Sequence, residues 1–560
     1  MPTDTEFSHR TRAAALRSMS EQPVDVLIIG GGITGAGIAR EAALRGYRTA
    51  LVDKGDFGGG TSSRSSRLVH GGIRYLEQFH LRLVYEASRE RRVLLDIAPH
   101  LVRPLAFLFP VYRGARVPPW ELRAGMWLYD LLAAFRNVRT HRWLHRKAVL
   151  RLEPGLREKE LRGAALYYDA QTDDARLVIA TMRSAARAGA LVASYAEATN
   201  LIKPDGRICG ATVRDQLTRQ PHTVRALVVV NAAGPWVDEV RRLDDPRAEP
   251  LLRRTKGTHV VVPRHRLGNS YAVTLTSPID GRVMFVLPWG DQSYIGTTDT
   301  DQGGAPDDVR ATGDDVVYLL RSANAFFPQA RLAPGDVVST WAGLRPLLAP
   351  AHSGAASEVS REHRVVDSPS GLITIAGGKL TTFRVMAQDV VDRAAGRLHE
   401  LDGRPRAPRP RTDRLPLPGG EAADLEVLEE AARARGASET TARHLVASYG
   451  SESAGVLNLA DRDRALGEPI VPGRPEIWAE ATYAVEREMG LRLSDVLIRR
   501  LHLFHEDGQQ ATGAAPRVAE RMAELLGWDD TREAEELEAY RQDVERSRAF
   551  LQDVARAGRV

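Results

Sequence analysis

A single cysteine, Cys209, stands in 560 residues. Its isolation excludes an intramolecular disulfide, a CxxC redox pair and a multi-cysteine metal cluster, so a reducing, cytoplasmic setting fits and no metal is expected. Long apolar runs are also missing. No stretch of about 18 or more apolar residues occurs, and a membrane-spanning helix is therefore not expected. The first 22 residues mix Asp4, Glu6, Arg10, Arg12 and Arg17 with polar residues and lack the apolar core of a secretory signal; they read as a loose tail. Nor does one charge dominate. The 77 Lys and Arg against 72 Asp and Glu leave a formal charge of +5, too mild at this length to point to nucleic acid but favourable to anionic ligands or surfaces.

With 43% hydrophobic residues over 560 positions, two or three packed units are expected. From Asp25 the chain reads strand, glycine turn, helix, strand, a βαβ unit that defines an α/β fold. Strand-like runs at 227–230 and 372–376 end in small residues and are assigned to the same parallel sheet. Between them, 256–263, 272–276, 283–288 and 294–296 form β-rich segments separated by turn residues, as in a mainly antiparallel sheet. The nucleotide unit is thus discontinuous, covering about 23–100, 165–240 and 335–402. A substrate unit is inserted at about 101–164 and 241–334. Pro405, Pro408, Pro410, Pro416 and Pro418 mark 403–420 as a linker, and 421–560 has the periodicity of a separate all-helical domain.

Gly30, Gly32 and Gly35 form GxGxxG directly after a strand and before a helix, where small residues admit a pyrophosphate to the backbone and the helix N-terminus meets its charge. Asp53 ends the next strand, 18 residues after Gly35, where a carboxylate can accept hydrogen bonds from a ribose. Alone, this unit does not separate FAD from NAD. Residues 58–70 read GGGTSSRSSRLVH, a loop of glycines and hydroxyls suited to a second stretch of a long phosphate-bearing cofactor.

The run TSSRSSRLVHGGIRYLE at 61–77 closely resembles the flavin-proximal segment of FAD-dependent glycerol-3-phosphate dehydrogenases. In the same order follow APHL at 98–101, DDARL at 173–177, NAAGPW at 231–236, KGTH at 256–259, IGTTD at 295–299, GLRPL at 343–347 and GGKLTT at 377–382. The resemblance runs from about 25 to 384, with weaker similarity at 484–500. It implies a D-amino acid oxidase-like architecture: a discontinuous, Rossmann-like FAD-binding domain, a mainly antiparallel substrate domain and an all-helical C-terminal domain. The cofactor would lie against Gly30, Gly32, Gly35, Asp53, Thr61, Ser62, Ser63, His70, Gly71, Gly72, Ala233, Gly234, Gly378, Lys379, Leu380 and Thr381. Asp53 departs from the Glu often found at that strand end, and Arg499-Arg500-Leu501 departs from the family's Arg-Arg-Thr.

Glycerol 3-phosphate carries a dianionic phosphate and a secondary alcohol, so its site needs cations and a proton acceptor. The resemblance assigns Arg74, Arg345 and Lys379 to the phosphate and its surroundings, with Tyr75 and Thr381 as supporting donors. Hydride would pass from C2 to flavin N5, giving dihydroxyacetone phosphate. His259 is the first candidate base, since a neutral imidazole accepts a proton near pH 7; His70 lies beside the flavin loop as an alternative, and Arg345 could instead polarise the alkoxide. A related 2-hydroxy-acid or amine oxidoreductase is the rival enzyme, because Arg345 and Lys379 could also hold a carboxylate. The electron acceptor is expected to be a quinone at the membrane surface, with oxygen as the alternative. Residues 113–147 interleave basic side chains with Trp120, Trp127 and Trp143, which suits docking on the inner face of the cell membrane. A homodimer is carried as an expectation.

Overall fold

The computed structural model describes residues 7–72, 80–115, 118–132, 139–349, 362–422 and 424–558. Arg74 and Tyr75 lie outside the described residues. The chain enters through α1 (His9–Glu21), where a loose tail was expected. Arg12, Ala15, Leu16 and Met19 recur at helical spacing and are buried, so this stripe docks the helix. Arg12 pairs with Asp215 at 2.6 Å and donates to Ser194 O at 2.7 Å.

The expected βαβ unit follows as β1 (Val24–Ile29), α2 (Ile33–Leu44) and β2 (Thr49–Val52). After β3 (Val102–Tyr112), α3 (Pro119–Leu132) and β4 (Leu161–Thr172), the chain returns through α4 (Asp174–Arg187), β5 (Leu191–Ala193) and β6 (Pro221–Asn231). Next come β7 (Leu252–Pro263), β8 (Ala272–Thr276), β9 (Val283–Trp289), β10 (Gln292–Gly296) and β11 (Ser339–Leu348). Then β12 (His363–Asp367), β13 (Ile373–Gly377) and α5 (Phe383–Asp402) close this part of the chain.

The first sheet has the order β12-β13-β6-β1-β2-β5. Four of its pairings are parallel, and β6 and β13 are the runs expected in the same parallel sheet as β1. A parallel strand is buried on both faces. Accordingly Val26 and Ile28 of β1 pack with α2, α4 and α5, while Leu27 and Ile29 pack with Leu16 and Met19 of α1. The second sheet places β7, β10, β9, β8, β3 and β4 side by side, with β11 on the other edge of β7. It is mainly antiparallel; the β8–β3 contact is parallel.

Two expected boundaries shift. The strand containing residue 165 continues to Thr172 on β3, and Ser339–Leu348 pairs along its whole length with β7 rather than joining the nucleotide sheet. The first strand continues its buried pattern across the expected boundary at 164/165, whereas Ser339–Leu348 lies wholly beyond the one at 334/335. The proline-rich segment 403–420 carries neither helix nor strand, yet it is held down: Leu417 is buried and its N–H donates to Ile97 O at 2.8 Å. Beyond it the described residues are helical, ending in α6 (Asp530–Arg548) and the short helix Phe550–Arg556.

Candidate functional site

The turn after β1 needs its glycines. Gly30 has φ +114°, and a Cβ there would lie 2.6 Å from Ala232 O, so the fingerprint turn and the small residues ending β6 touch directly. A Cβ on Gly35 would overlap Gly30 O, which is why α2 can seat against that turn. The N-terminal turn of α2 opens into a cavity of about 1010 Å³. Ser62 Oγ accepts from Ile33 N there at 3.0 Å, bringing the 58–70 loop to the helix N-terminus. At the end of β2, Asp53 accepts from Gly31 N at 2.5 Å and Gly55 N at 2.8 Å. Burial pushes its carboxyl up to about 6 against those two N–H groups.

Of the expected cofactor residues, Gly30, Gly32, Asp53, Thr61, Ser62, Ala233, Gly234, Gly378, Lys379 and Leu380 line this cavity. Gly35, Ser63, His70, Gly71, Gly72 and Thr381 are not among its lining residues. A space of this volume, a helix N-terminus, side-chain-free glycines and the Asp53 carboxylate in its lining fit a dinucleotide such as FAD.

The 61–70 loop is the hub that gathers the other motifs. Thr61 Oγ1 donates to Leu344 O at 2.6 Å, and a Cβ on Gly343 would lie 2.8 Å from Arg64 O. Trp341 Nε1 donates to Ser65 O at 3.1 Å, Tyr294 OH donates to Ser66 O at 3.0 Å, and His70 N donates to Thr381 Oγ1 at 3.3 Å. Gly71 N donates to Asp169 Oδ1 at 3.1 Å, a carboxylate that also takes Arg91 and Tyr129. His259 Nε2 is 2.8 Å from Ser66 Oγ.

Pairing of Thr255 with Arg345, Gly257 with Gly343 and His259 with Trp341 puts these six residues on one face of the second sheet. His259 stacks on Trp341 at 5.0 Å and 16°. Its burial, with the Arg345 and Arg67 guanidiniums nearby, lowers the imidazole to about 3 and keeps it neutral. Nδ1 has no hydrogen-bond partner among the described residues. Arg345 is held by Asp299 Oδ1 at 3.0 Å, Thr297 Oγ1 at 3.0 Å and Thr298 O at 3.1 Å. Gly257 makes room for this fork, since a Cβ there would lie 2.5 Å from Arg345 Nη2. Lys379 and Thr381 follow the turn at Gly377 and Gly378, both at positive φ. Thus His259 and Thr381 bond to one loop and Lys379 lines the cavity with Thr61 and Ser62, whereas His259 and Arg345 lie outside that lining.

Other residues of the site carried no local signal. Asp299 and Ser66 stood inside motifs with no role assigned, and Trp341 stood two residues before one. Asp56, on the cavity wall, takes the Arg499 and Arg500 guanidiniums from more than 440 positions away.

Residues 25–393 match the family model described as FAD dependent oxidoreductase, and residues 410–533 match that of the C-terminal domain of alpha-glycerophosphate oxidase. The chain belongs to the FAD-dependent oxidoreductases. It is 40% identical over 520 residues to glycerol-3-phosphate dehydrogenase 2 of Mycobacterium bovis, covering 92% of this chain and 87% of that protein. It is 36% identical to the aerobic glycerol-3-phosphate dehydrogenase of Staphylococcus aureus, covering 95% of each. The solved structure of glycerol-3-phosphate dehydrogenase from Bacillus halodurans, complexed with FAD, superposes with a TM-score of 0.81 at 32% identity, covering 97% of this chain and 99% of that one. Within the FAD-dependent oxidoreductases, then, this chain is a member of the glycerol-3-phosphate dehydrogenase family.

Proposed function

We propose that the protein oxidises sn-glycerol 3-phosphate to dihydroxyacetone phosphate with FAD as cofactor, and that a quinone-type acceptor takes the electrons. The observations that carry the substrate assignment are that His259 meets Ser66 of the 61–70 loop, that Arg345 follows Leu344, whose carbonyl accepts from Thr61 of that loop, and that Lys379 lines the cavity together with Thr61 and Ser62. FAD, when bound, supplies the hydride acceptor; Gly30, Gly32, Ser62, Ala233 and Gly378 would hold it, with Asp53 toward the ribose.

Arg345, with Lys379, draws the phosphate, and the fork of Arg345 is already oriented by Asp299 and Thr297 before substrate enters. Arg74 and Tyr75 are assigned with them by sequence alone. Thr381 braces His70 and thereby the loop. His259 is the proposed base. It is neutral in the free protein, and the incoming phosphate charge raises its basicity where the C2 hydroxyl must lose its proton. Burial behind Trp341 keeps water from that proton.

Among the described residues no helix is long and apolar enough to cross a membrane. A peripheral seat on the inner face of the cell membrane is proposed instead. Its support is α3, where Trp120 is 72% and Trp127 60% exposed, with Leu131 and Arg123 also exposed. The test is steady-state turnover of purified holoprotein with a short-chain quinone or with oxygen, following dihydroxyacetone phosphate. Product that depends on quinone is the expected result. Stoichiometric hydrogen peroxide without quinone would replace the acceptor assignment, and no product from either would overturn the substrate assignment.

A further inference from the structure

The cofactor cavity is not built from the nucleotide and substrate sheets alone. Its wall continues onto Arg492, Ser494 and Arg499 of the C-terminal segment, and onto Ala539, Gln542 and Arg546 of α6. These residues stand in the same cavity as Gly30, Asp53 and Ser62.

Met489 and Leu491 pack into the nucleotide core, and beside them the seam carries buried charge. Asp56, just past β2, accepts from Arg499 and, at 2.8 Å, from Arg500 Nη2. Arg499 Nη2 also donates to Asp495 Oδ1 at 2.5 Å, the oxygen that accepts from Tyr195 OH at 2.6 Å. Residues Asp495–Arg500 form a π-helical turn, a rare conformation that here presents consecutive arginines to one carboxylate. Arg500 Nη2 donates to Glu488 O at 2.9 Å, and Glu488 pairs with Arg176 of α4 at 2.5 Å. α6 is tied to the same turn, Ser494 Oγ donating to Asp543 Oδ2 at 2.6 Å. Asp56, Asp495 and Glu488 balance Arg499, Arg500 and Arg176, all of them buried or nearly so. A buried carboxylate left without its cation is strongly destabilising, and Asp56 stands on the wall of the cavity.

We propose that the helical C-terminal segment is the second wall of the FAD site. Arg499 is a positioning residue that neutralises Asp56 and Asp495 at the cavity wall, and FAD retention depends on docking of this segment. The proposal rests on FAD occupying the cavity described above.

The experiment measures the FAD dissociation constant of full-length apoprotein by flavin fluorescence, beside the apoprotein melting temperature. Three variants are compared with wild type. Ala539→Trp puts bulk into the cavity from a half-buried helical position. Arg499→Gln removes the neutralising charge. Arg541→Gln changes an exposed residue of α6 that pairs with Glu538 and Glu545 on its own helix. We expect A539W and R499Q to bind FAD at least about tenfold more weakly, A539W with its apoprotein melting temperature kept, and R541Q to stay within about twofold of wild type. A folded A539W that binds FAD like wild type would overturn the proposal whatever R499Q does, as would equal weakening by R541Q. A wild-type chain that binds no FAD would overturn the cofactor assignment on which it rests.

Discussion

Gly257→Ala isolates the function of the Arg345 fork from the stability of the fold. A methyl group at this position would lie 2.5 Å from Arg345 Nη2, 2.8 Å from its Cζ and 2.7 Å from Thr297 Oγ1. Ordinary contact begins near 3.4 Å, so the guanidinium must retreat by roughly 1 Å, a misplacement on the scale that costs on the order of 100-fold at a reacting centre. The obstacle is the end of a flexible side chain, and backbone φ at Gly257 is not in the left-handed region. The strand pairing of β7 with β11 therefore survives. Loss of one charge-assisted hydrogen bond is worth about 1.5–3 kcal/mol, which converts to about 10- to 150-fold. The assay is anaerobic stopped-flow reduction of the bound flavin across a range of glycerol 3-phosphate concentrations, with FAD affinity measured in parallel. The second-order rate constant for reduction should fall by that factor while FAD affinity holds. A constant within twofold of wild type, or an equal loss of FAD affinity, would refute the role given to the fork.

Asp53 should make FAD affinity sensitive to pH. Its carboxyl stands at about 6, and only the ionised form accepts from Gly31, Gly55 and a ribose together, so affinity is expected to fall as pH drops through about 6; Asp53→Asn should flatten that limb in a fluorescence titration. His259, lowered to about 3, stays neutral in the free enzyme above about pH 4. Replacing it with Asn should lower the plateau of kcat/KM by about 100-fold or more without moving its acid limb, which belongs to the substrate phosphate near pH 6; a limb that moves in the variant would contradict this. Trp120→Ser with Trp127→Ser should reduce cosedimentation with anionic lipid vesicles while leaving turnover on a soluble acceptor unchanged. Unchanged sedimentation would remove α3 as the membrane-facing element.

Local patterns carried the nucleotide half. The GxGxxG turn, the strand before it and the acid at the next strand end are dictated by short-range sterics, and β1, α2, β2, β6 and β13 stand where those patterns put them. The site was legible as motifs but not as a constellation, because Ser66 meets His259 only through pairings between distant strands. The N-terminal helix was missed for a different reason. Residues 1–22 hold no continuous apolar core, only a four-residue stripe whose burial is supplied by β5 and its neighbours. The reach of Arg499 and Arg500 to Asp56 spans more than 440 positions, and no periodicity in either segment encodes it.

The central claim, oxidation of glycerol 3-phosphate at a bound FAD, is met most directly by one spectrum. Purified protein is held anaerobically, its oxidised-flavin band is recorded, and glycerol 3-phosphate, 2-hydroxyglutarate or sarcosine is added separately. Bleaching by glycerol 3-phosphate alone, with one equivalent of dihydroxyacetone phosphate formed per flavin, is the expected result. A bound flavin that stays oxidised with glycerol 3-phosphate, or that bleaches with one of the other two instead, would contradict the assignment.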